Sequence, residues 1–460
     1  MSSAETGHTA PPTTDAQGAP LRSPSPQAAG GAVTRSRLAG IGASLTRDEI
    51  APFVSSAGLI AGRVASLGLG FFAWLVAARL FPPSEVGLAS GVVAAMMLCV
   101  QLALVGVGSA LISVLAAYRQ RVSLLINTAG TSVVGLSMVA ALLFLLLARS
   151  AFHELDIVVG VPILAVAFVA MTILGAVNVV FDNVSIAIRR GDQVLTRNVL
   201  FGLVTIGVPL TLASSMGGRG SWLILIAWTL AGLVACSVGV VQLRRSLPEY
   251  RPAIVIDRPL TSELIRIGLP NWALTMTERG PALLMPILVT ELISPTVNAY
   301  WYAVWMMAWV VMIIPVSAGQ TLFAEAARDP ANAVRATRHG IATSLGLGVP
   351  AAIAVVIFAN VALSLMGARY AAAGDLALRI LVVTVLPFTV IQAYFAICRA
   401  RRQLGEAVVV GTLSGIAAVA AALVAGSIAG LAAMATAWVV VQSVTAAFCG
   451  LRLLSAARRV

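Results

Sequence analysis

The chain has 460 residues, of which 59% are hydrophobic and only 10% charged. Soluble globular proteins carry about 25% charged residues, so this composition cannot coat a water-soluble fold of such length, and a set of soluble domains is excluded in favour of a bilayer as solvent. The net charge of +12 comes from arginines scattered through short loops, not from one basic face, which argues against nucleic-acid binding.

Residues 1–48 are rich in Ala, Ser, Thr, Pro and Gly and contain no apolar run, the composition of a disordered tail. Without an apolar core this tail is not a cleavable signal peptide, and the first membrane helix is expected to act as the insertion signal. From Phe53 onward, twelve stretches long enough to span about 30 Å follow one another: 53–79, 86–117, 122–148, 157–188, 196–215, 221–243, 263–290, 296–324, 334–361, 376–398, 405–426 and 428–451. They lack the two-residue alternation of barrel strands, so the expected fold is all-α. Arginine bias orients the helices with both termini cytoplasmic, leaving only Arg79, Arg149, Arg219, Arg369 and Arg379 outside. Arg63 and Arg279 fall inside helices.

The longest link, RRSLPEYRPAIVIDRPLTS at 244–262, lies near the midpoint. Sliding the second half onto the first by 212 residues superimposes Pro83 on Pro295 and Arg189-Arg190 on Arg401-Arg402. The expected organisation is therefore a tail (1–48), a six-helix lobe (49–243), a cytoplasmic linker (244–262) and a second six-helix lobe (263–460). An even number of helices per lobe gives both lobes the same orientation, with the pseudo-axis along the membrane normal.

Cys99, Cys236, Cys398 and Cys449 sit in separate apolar runs without metal-ligand spacing, and His8, His153 and His339 are far apart. No metal or other cofactor is expected. In the first helix Gly58, Gly62, Ser66 and Gly70 recur every fourth residue, a stripe for close helix contact or for lining a gap between lobes. Tyr300, Trp301, Tyr302, Trp305 and Trp309 cluster at the start of the eighth helix, where an aromatic belt at the headgroups is the first expectation and sugar stacking the second.

Three segments carry a family resemblance. GLIAGRVASLGLGFFAWLVAARLFPPSEVGLAS (58–90), LPNWALTMTERGPALLMPILVTELISPTVNAYWYAVW (269–305) and LPFTVIQAYFAICRARRQLGEAVVVG (386–411) resemble the first, the seventh-to-eighth and the tenth helices of Wzx-type polysaccharide flippases, within the multidrug/oligosaccharidyl-lipid/polysaccharide (MOP) exporter superfamily. The resemblance covers about residues 50–455. It implies two lobes around a central cavity in the bacterial cytoplasmic membrane, and transfer of a polyprenyl-diphosphate-linked oligosaccharide from inner to outer leaflet. Implied partners are that lipid-linked glycan, membrane lipids, and a glycan polymerase with glycosyltransferases, for a monomeric transporter. Among relatives, lipid II flippases carry two further C-terminal helices, and multidrug and toxin extrusion antiporters rely on intramembrane acids.

The residues that could serve such a substrate are few. Arg63 lies about ten residues into the first stretch, roughly 15 Å along it, and Arg279 is internal to the seventh. An arginine at the bilayer centre costs on the order of 3 kcal/mol. Arg63 maps by the repeat to Thr275, one helical turn from Arg279. One reading is a paired guanidinium clamp for a diphosphate; the other is glue between lobes, with Arg63 paired to Glu278 or Asp182. Glu278 could instead bind a coupling cation or face a wet cavity. Asp182 belongs to a polar stripe with Asn178 and Ser185, suited to interhelical hydrogen bonding or to ion coupling. Pro270, Pro281 and Pro286 should bend the seventh helix.

Two other functions compete. An ion-coupled antiporter would use the acids just named. A membrane glycosyltransferase or polymerase would need acids or histidine in sizeable outer loops. The outer loops are short and offer only Glu85, His153, Glu154, Asp156, Asp375 and the helix-edge Glu291. The expectation is a transporter, not an enzyme.

Overall fold

The computed structural model describes residues 67–115, 117, 118, 121–212 and 220–457. The tail and the start of the first expected span, with Gly58, Gly62, Arg63 and Ser66, lie outside the described residues. The described chain folds as α1 (Leu67–Leu80), α2 (Pro83–Leu104), α3 (Val107–Val114), α4 (Val122–Ala151), α5 (Ile157–Gly160), α6 (Pro162–Ala187), α7 (Gly191–Leu212) and α8 (Ser221–Ser246). The second half gives α9 (Arg258–Leu292), α10 (Pro295–Arg328), α11 (Ala333–Met366), α12 (Ala368–Leu381), α13 (Val385–Ala400) and α14 (Leu404–Ala457). Among the described residues nine helices are long and apolar enough to cross a membrane. Against the twelve stretches expected, α1 is apolar but shorter, α9 carries internal charges, and α14 merges two stretches across a break at Ala429 and Gly430, where Gly430 has φ 77°. The chain is an all-helical polytopic membrane protein.

Local chemistry explains the boundaries. Pro83 and Pro295, paired by the repeat, stand near the first positions of α2 and α10, where a missing N–H costs nothing and the fixed φ suits a helix. Asp257 caps α9 by accepting from the Leu260 N–H at 2.9 Å. Arg244 and Arg245 end α8, favourable at a helix C-terminus. The helix-free link is therefore 247–257, shorter at both ends than the expected 244–262. α6 and α13 finish alike: Arg189 and Arg402 take φ 59° and 57°, and the N–H groups of Arg190 and Gln403 reach back to the carbonyls of Ser185 and Cys398 at 2.8 Å. This is the wrapped-back C-terminus that glycine usually supplies. The two ends correspond at 213 residues, one more than the offset read from the sequence.

α2, α4, α6, α7 and α8 pack on one another, as do α9 to α14; α2 and α3 cross to α9 and α10. That crossing is a backbone seam. A Cβ on Gly87 would lie 1.7 Å from the Pro295 carbonyl oxygen, and one on Gly268 would lie 2.0 Å from that of Gly106. Buried Asn298 donates to the Gly87 carbonyl at 2.8 Å and to Ser90 Oγ at 3.0 Å. The second expected span is broken here: Val105 and Gly106 take φ 38° and 80°, which ends α2 and lets the chain meet α9. At the end of the molecule expected to face outward, Glu291 accepts the backbone N–H groups of His153, Glu154 and Leu155. There too Arg79 donates to the carbonyls of Ser364 (3.0 Å) and Leu365 (2.6 Å), satisfying acceptors that a helix end leaves open.

The aromatic cluster on α10 is not a headgroup belt. Trp301 is fully buried, Tyr302 packs edge-on against Trp74 at 4.9 Å, and Trp305 does the same against Trp438 at 4.9 Å. These rings point into the bundle because α10 is covered by helices on several sides.

The seam gives the first prediction. Gly87→Ala and Gly268→Ala should each lower the thermal midpoint in detergent, at a cost of about 1–3 kcal/mol for overpacking. Gly130→Ala, where an added Cβ meets nothing within 4 Å, should leave it unchanged or raise it.

Candidate functional site

α9 carries most of the candidate chemistry. It runs helical from Arg258 to Leu292 through Pro270, Pro281 and Pro286, and docks on α14 through a small-residue notch. Thr277 and Pro281, one turn apart, fit against Gly411 and Gly415, where a Cβ would lie 2.5 Å from Thr277 Oγ1 or from Pro281 Cγ. The first half holds a counterpart, Leu69 of α1 against Gly202 of α7; Leu69 and Pro281 are 212 residues apart.

Beside this contact the second group of helices encloses a cavity of about 60 Å³. α9 contributes Thr277, Glu278, Pro281 and Ala282 to its wall, α10 Trp305 and Trp309, and α14 Ser414, Trp438, Gln442 and Thr445. It lies within the second half, not between the halves where the central cavity is expected.

Glu278 faces this cavity, and its partner is Arg399 of α13, at 2.9 Å, with the two side chains 17% and 18% exposed. Sequence reading missed Arg399, because a residue in the last turn of a helix reads as a loop cation until the neighbouring helix is placed. Glu278 Oε1 and Arg399 Nε have no hydrogen-bond partner. Arg279 follows Glu278 but is exposed and absent from the cavity wall, as expected for neighbours about 100° apart on a helix. Arg63, the other half of the expected clamp, lies outside the described residues.

Asp182 of α6 is part of a separate polar cluster. It accepts from Arg197 of α7 at 2.7 Å; the Arg197 side chain is fully buried and that of Asp182 is 26% exposed. Arg197 also donates to Gln242 Oε1 of α8 at 2.5 Å and to Ser185 Oγ at 3.1 Å. Gln193 extends the cluster to Ser185 and Ser246. Arg197 was expected among the cytoplasmic loop arginines; the structure buries it because α7 starts at Gly191, before the expected 196, and turns it towards α6 and α8. Asn178, on the same stripe, keeps Oδ1 buried without a partner. Both carboxylates that Arg63 might have joined as glue thus already hold an arginine from their own half.

The remaining outer acids have structural uses: Asp375 pairs with Arg379 at 2.9 Å one turn along α12, and Glu291 holds the 153–155 backbone. Among the described residues no three His, Cys, Asp or Glu side chains come together as a metal site would need.

Residues 76–374 match the family model described as polysaccharide biosynthesis protein. Among curated proteins no relative matches this chain. Solved structures share the fold at low identity. An inward-facing multidrug resistance MATE family transporter of the MOP superfamily aligns over 85% of this chain and 95% of its own, with a TM-score of 0.61 and 16% identity. The lipid II flippase MurJ, in an inward closed conformation, aligns over 86% and 87%, with a TM-score of 0.64 and 12% identity. A MOP superfamily transporter from Pyrococcus furiosus, described as having a binding pocket of reversed polarity, aligns over 88% and 95%, with a TM-score of 0.57 and 14% identity. The likeness to MOP-superfamily flippases read from the three sequence segments is borne out.

The Asp182 cluster yields a stability prediction. Arg197→Met strands the carboxylate and should cost about 3–5 kcal/mol, the usual penalty for halving a buried pair. Adding Asp182→Leu should restore most of the melting temperature, because the uncompensated charge is then gone.

Proposed function

The chain belongs to the polysaccharide biosynthesis protein family, and from that premise we propose that it flips a polyprenyl-diphosphate-linked oligosaccharide from the inner to the outer leaflet of a bacterial cytoplasmic membrane by alternating access. The family match, which spans both sides of the seam between the halves, carries this reading; the MOP transporter fold supports it. In this account Arg63 and Arg279 bind the diphosphate, for which the planar guanidinium fork is suited. Arg279 is exposed on α9, the helix that meets α2 and α3 of the other half, a placement compatible with a ligand held between the halves. The transporter works as a monomer with twelve spans and cytoplasmic termini, and meets a glycan polymerase and glycosyltransferases on either side of its step.

One observation favours a second reading, an ion-coupled antiporter of the same superfamily: Glu278 faces a cavity with Oε1 unpartnered. The two readings part on what accumulates when the protein is depleted. Flipping predicts lipid-linked glycan retained on the inner leaflet; antiport predicts retained drug cations and normal surface glycan.

Arg279→Ala and Arg63→Ala should each abolish transfer of the lipid-linked glycan, assayed by its accessibility at the outer surface, with protein level unchanged. Lysine should rescue only partly, because an ammonium supplies charge without the fork. Wild-type transfer by both alanine variants would remove the clamp.

Topology is tested separately. Reporter fusions after Ser246, Arg328, Arg402 and the last residue should report cytoplasm, and fusions near Glu154, Ser294 and Tyr370 the outside. A swapped pair would break the twelve-span account.

A further inference from the structure

The cavity in the second half has walls of two kinds. Trp305 and Trp438 meet edge to face at 80°, and Trp309, Phe388 and Phe395 complete an aromatic lining. Between the rings stand short polar groups, Thr277, Thr384, Ser414, Gln442 and Thr445. Two polar atoms in this wall lack partners: Thr384 Oγ1, on a residue only 3% exposed, and Glu278 Oε1. A buried polar atom left unbonded costs about 1–3 kcal/mol, so both favour a ligand able to bond them.

Charge and size narrow the ligand class. Arg399, 2.9 Å from Glu278, neutralises the carboxylate, so the wall carries no net charge to attract a bare cation. The volume of about 60 Å³ holds on the order of five water molecules, close to the bulk of one sugar ring and far below that of an oligosaccharide. A sugar ring presents C–H faces to the electron-rich faces of aromatic rings and hydroxyls that donate to oxygens such as Glu278 Oε1 and Thr384 Oγ1. A few convergent polar groups in an apolar pocket are what fixes a small ligand's orientation. On α9, Glu278 faces the cavity while Arg279 is exposed about 100° around the helix, so one helix serves two neighbouring surfaces.

We propose that this cavity receives the sugar bonded directly to the carrier's diphosphate, so that α9 reads the sugar on its Glu278 face while Arg279 holds the phosphates. The inference rests on the flippase reading and adds to it a place where the first sugar is selected. Trp309 and Thr384 are its specificity residues.

The test uses the full-length protein in lipid nanodiscs and two kinds of probe. One is farnesyl diphosphate; the other is a panel of farnesyl diphosphates bearing a single hexose or N-acetylhexosamine. At least one sugar-bearing probe should bind tenfold or more tightly than farnesyl diphosphate. Thr384→Val and Trp309→Leu should erase that advantage while leaving farnesyl diphosphate affinity and the melting temperature unchanged, and Arg279→Ala should weaken both probes alike. The inference is overturned if no sugar in the panel gives an advantage, or if the advantage survives both substitutions. A failure of the flippase reading looks different: neither probe binds and Arg279→Ala changes nothing, and the sugar site falls with it.

Discussion

The two halves touch through backbone, and that contact sets where the candidate residues stand. Gly87 under Pro295 and Gly106 against Gly268 leave no room for a single methyl group, so α2 and α3 lie against α9 and α10 at one spacing. In lipid, helices gain little from hiding apolar side chains from one another, and close backbone approach with interhelical hydrogen bonds carries association. Asn298 adds such bonds at the seam, to Gly87 and Ser90. With α9 held there on one side and notched into Gly411 and Gly415 of α14 on the other, Glu278 and Arg279 are presented to different surroundings although they are sequence neighbours.

The second constraint is that a charge taken into an apolar interior must bring a partner. Each half solves it once, with Asp182 and Arg197 in the first and Glu278 and Arg399 in the second. The two pairs are not related by the repeat, and they do different work. Arg197 is enclosed by three helices and bonded to Asp182, Ser185 and Gln242, a cross-brace that leaves little for a ligand. Glu278 keeps one oxygen open to a cavity. The same chemical pair is thus structural where its atoms are all used and functional where one is spare.

Most of the architecture was legible before any coordinates. The apolar stretches, the arginine bias, and the coincidence of Pro83 with Pro295 and of Arg189 with the turn at Arg401-Arg402 depend only on local chemistry: spanning length, insertion cost and the φ that proline imposes. The structure repeats that symmetry in features no pattern showed, such as the left-handed arginines ending α6 and α13. The site was legible only as a set of residue types. Glu278, Arg279 and Asp182 stood out because intramembrane charges are costly, yet the expected pairing with Arg63 was replaced by Arg399 and Arg197, which lie 121 and 15 residues away from their carboxylates.

By itself the sequence determined that this chain spans a membrane as helices, in two related halves, with a handful of charges too expensive to be accidental. Those conclusions follow from composition and from period, which any short window of the chain carries. Only the tertiary structure decided that the tryptophans of α10 face inward, that Arg197 is buried, and that Thr384 and Glu278 share one cavity wall. These depend on which helices become neighbours and on their rotation about their own axes, and a rotation of about 100° moves a side chain by one residue's worth of helix surface. That angle is set by contacts such as Gly268 on Gly106 and Gly415 on Pro281, between residues distant in the chain, so it is written in pairs of positions and in no single stretch.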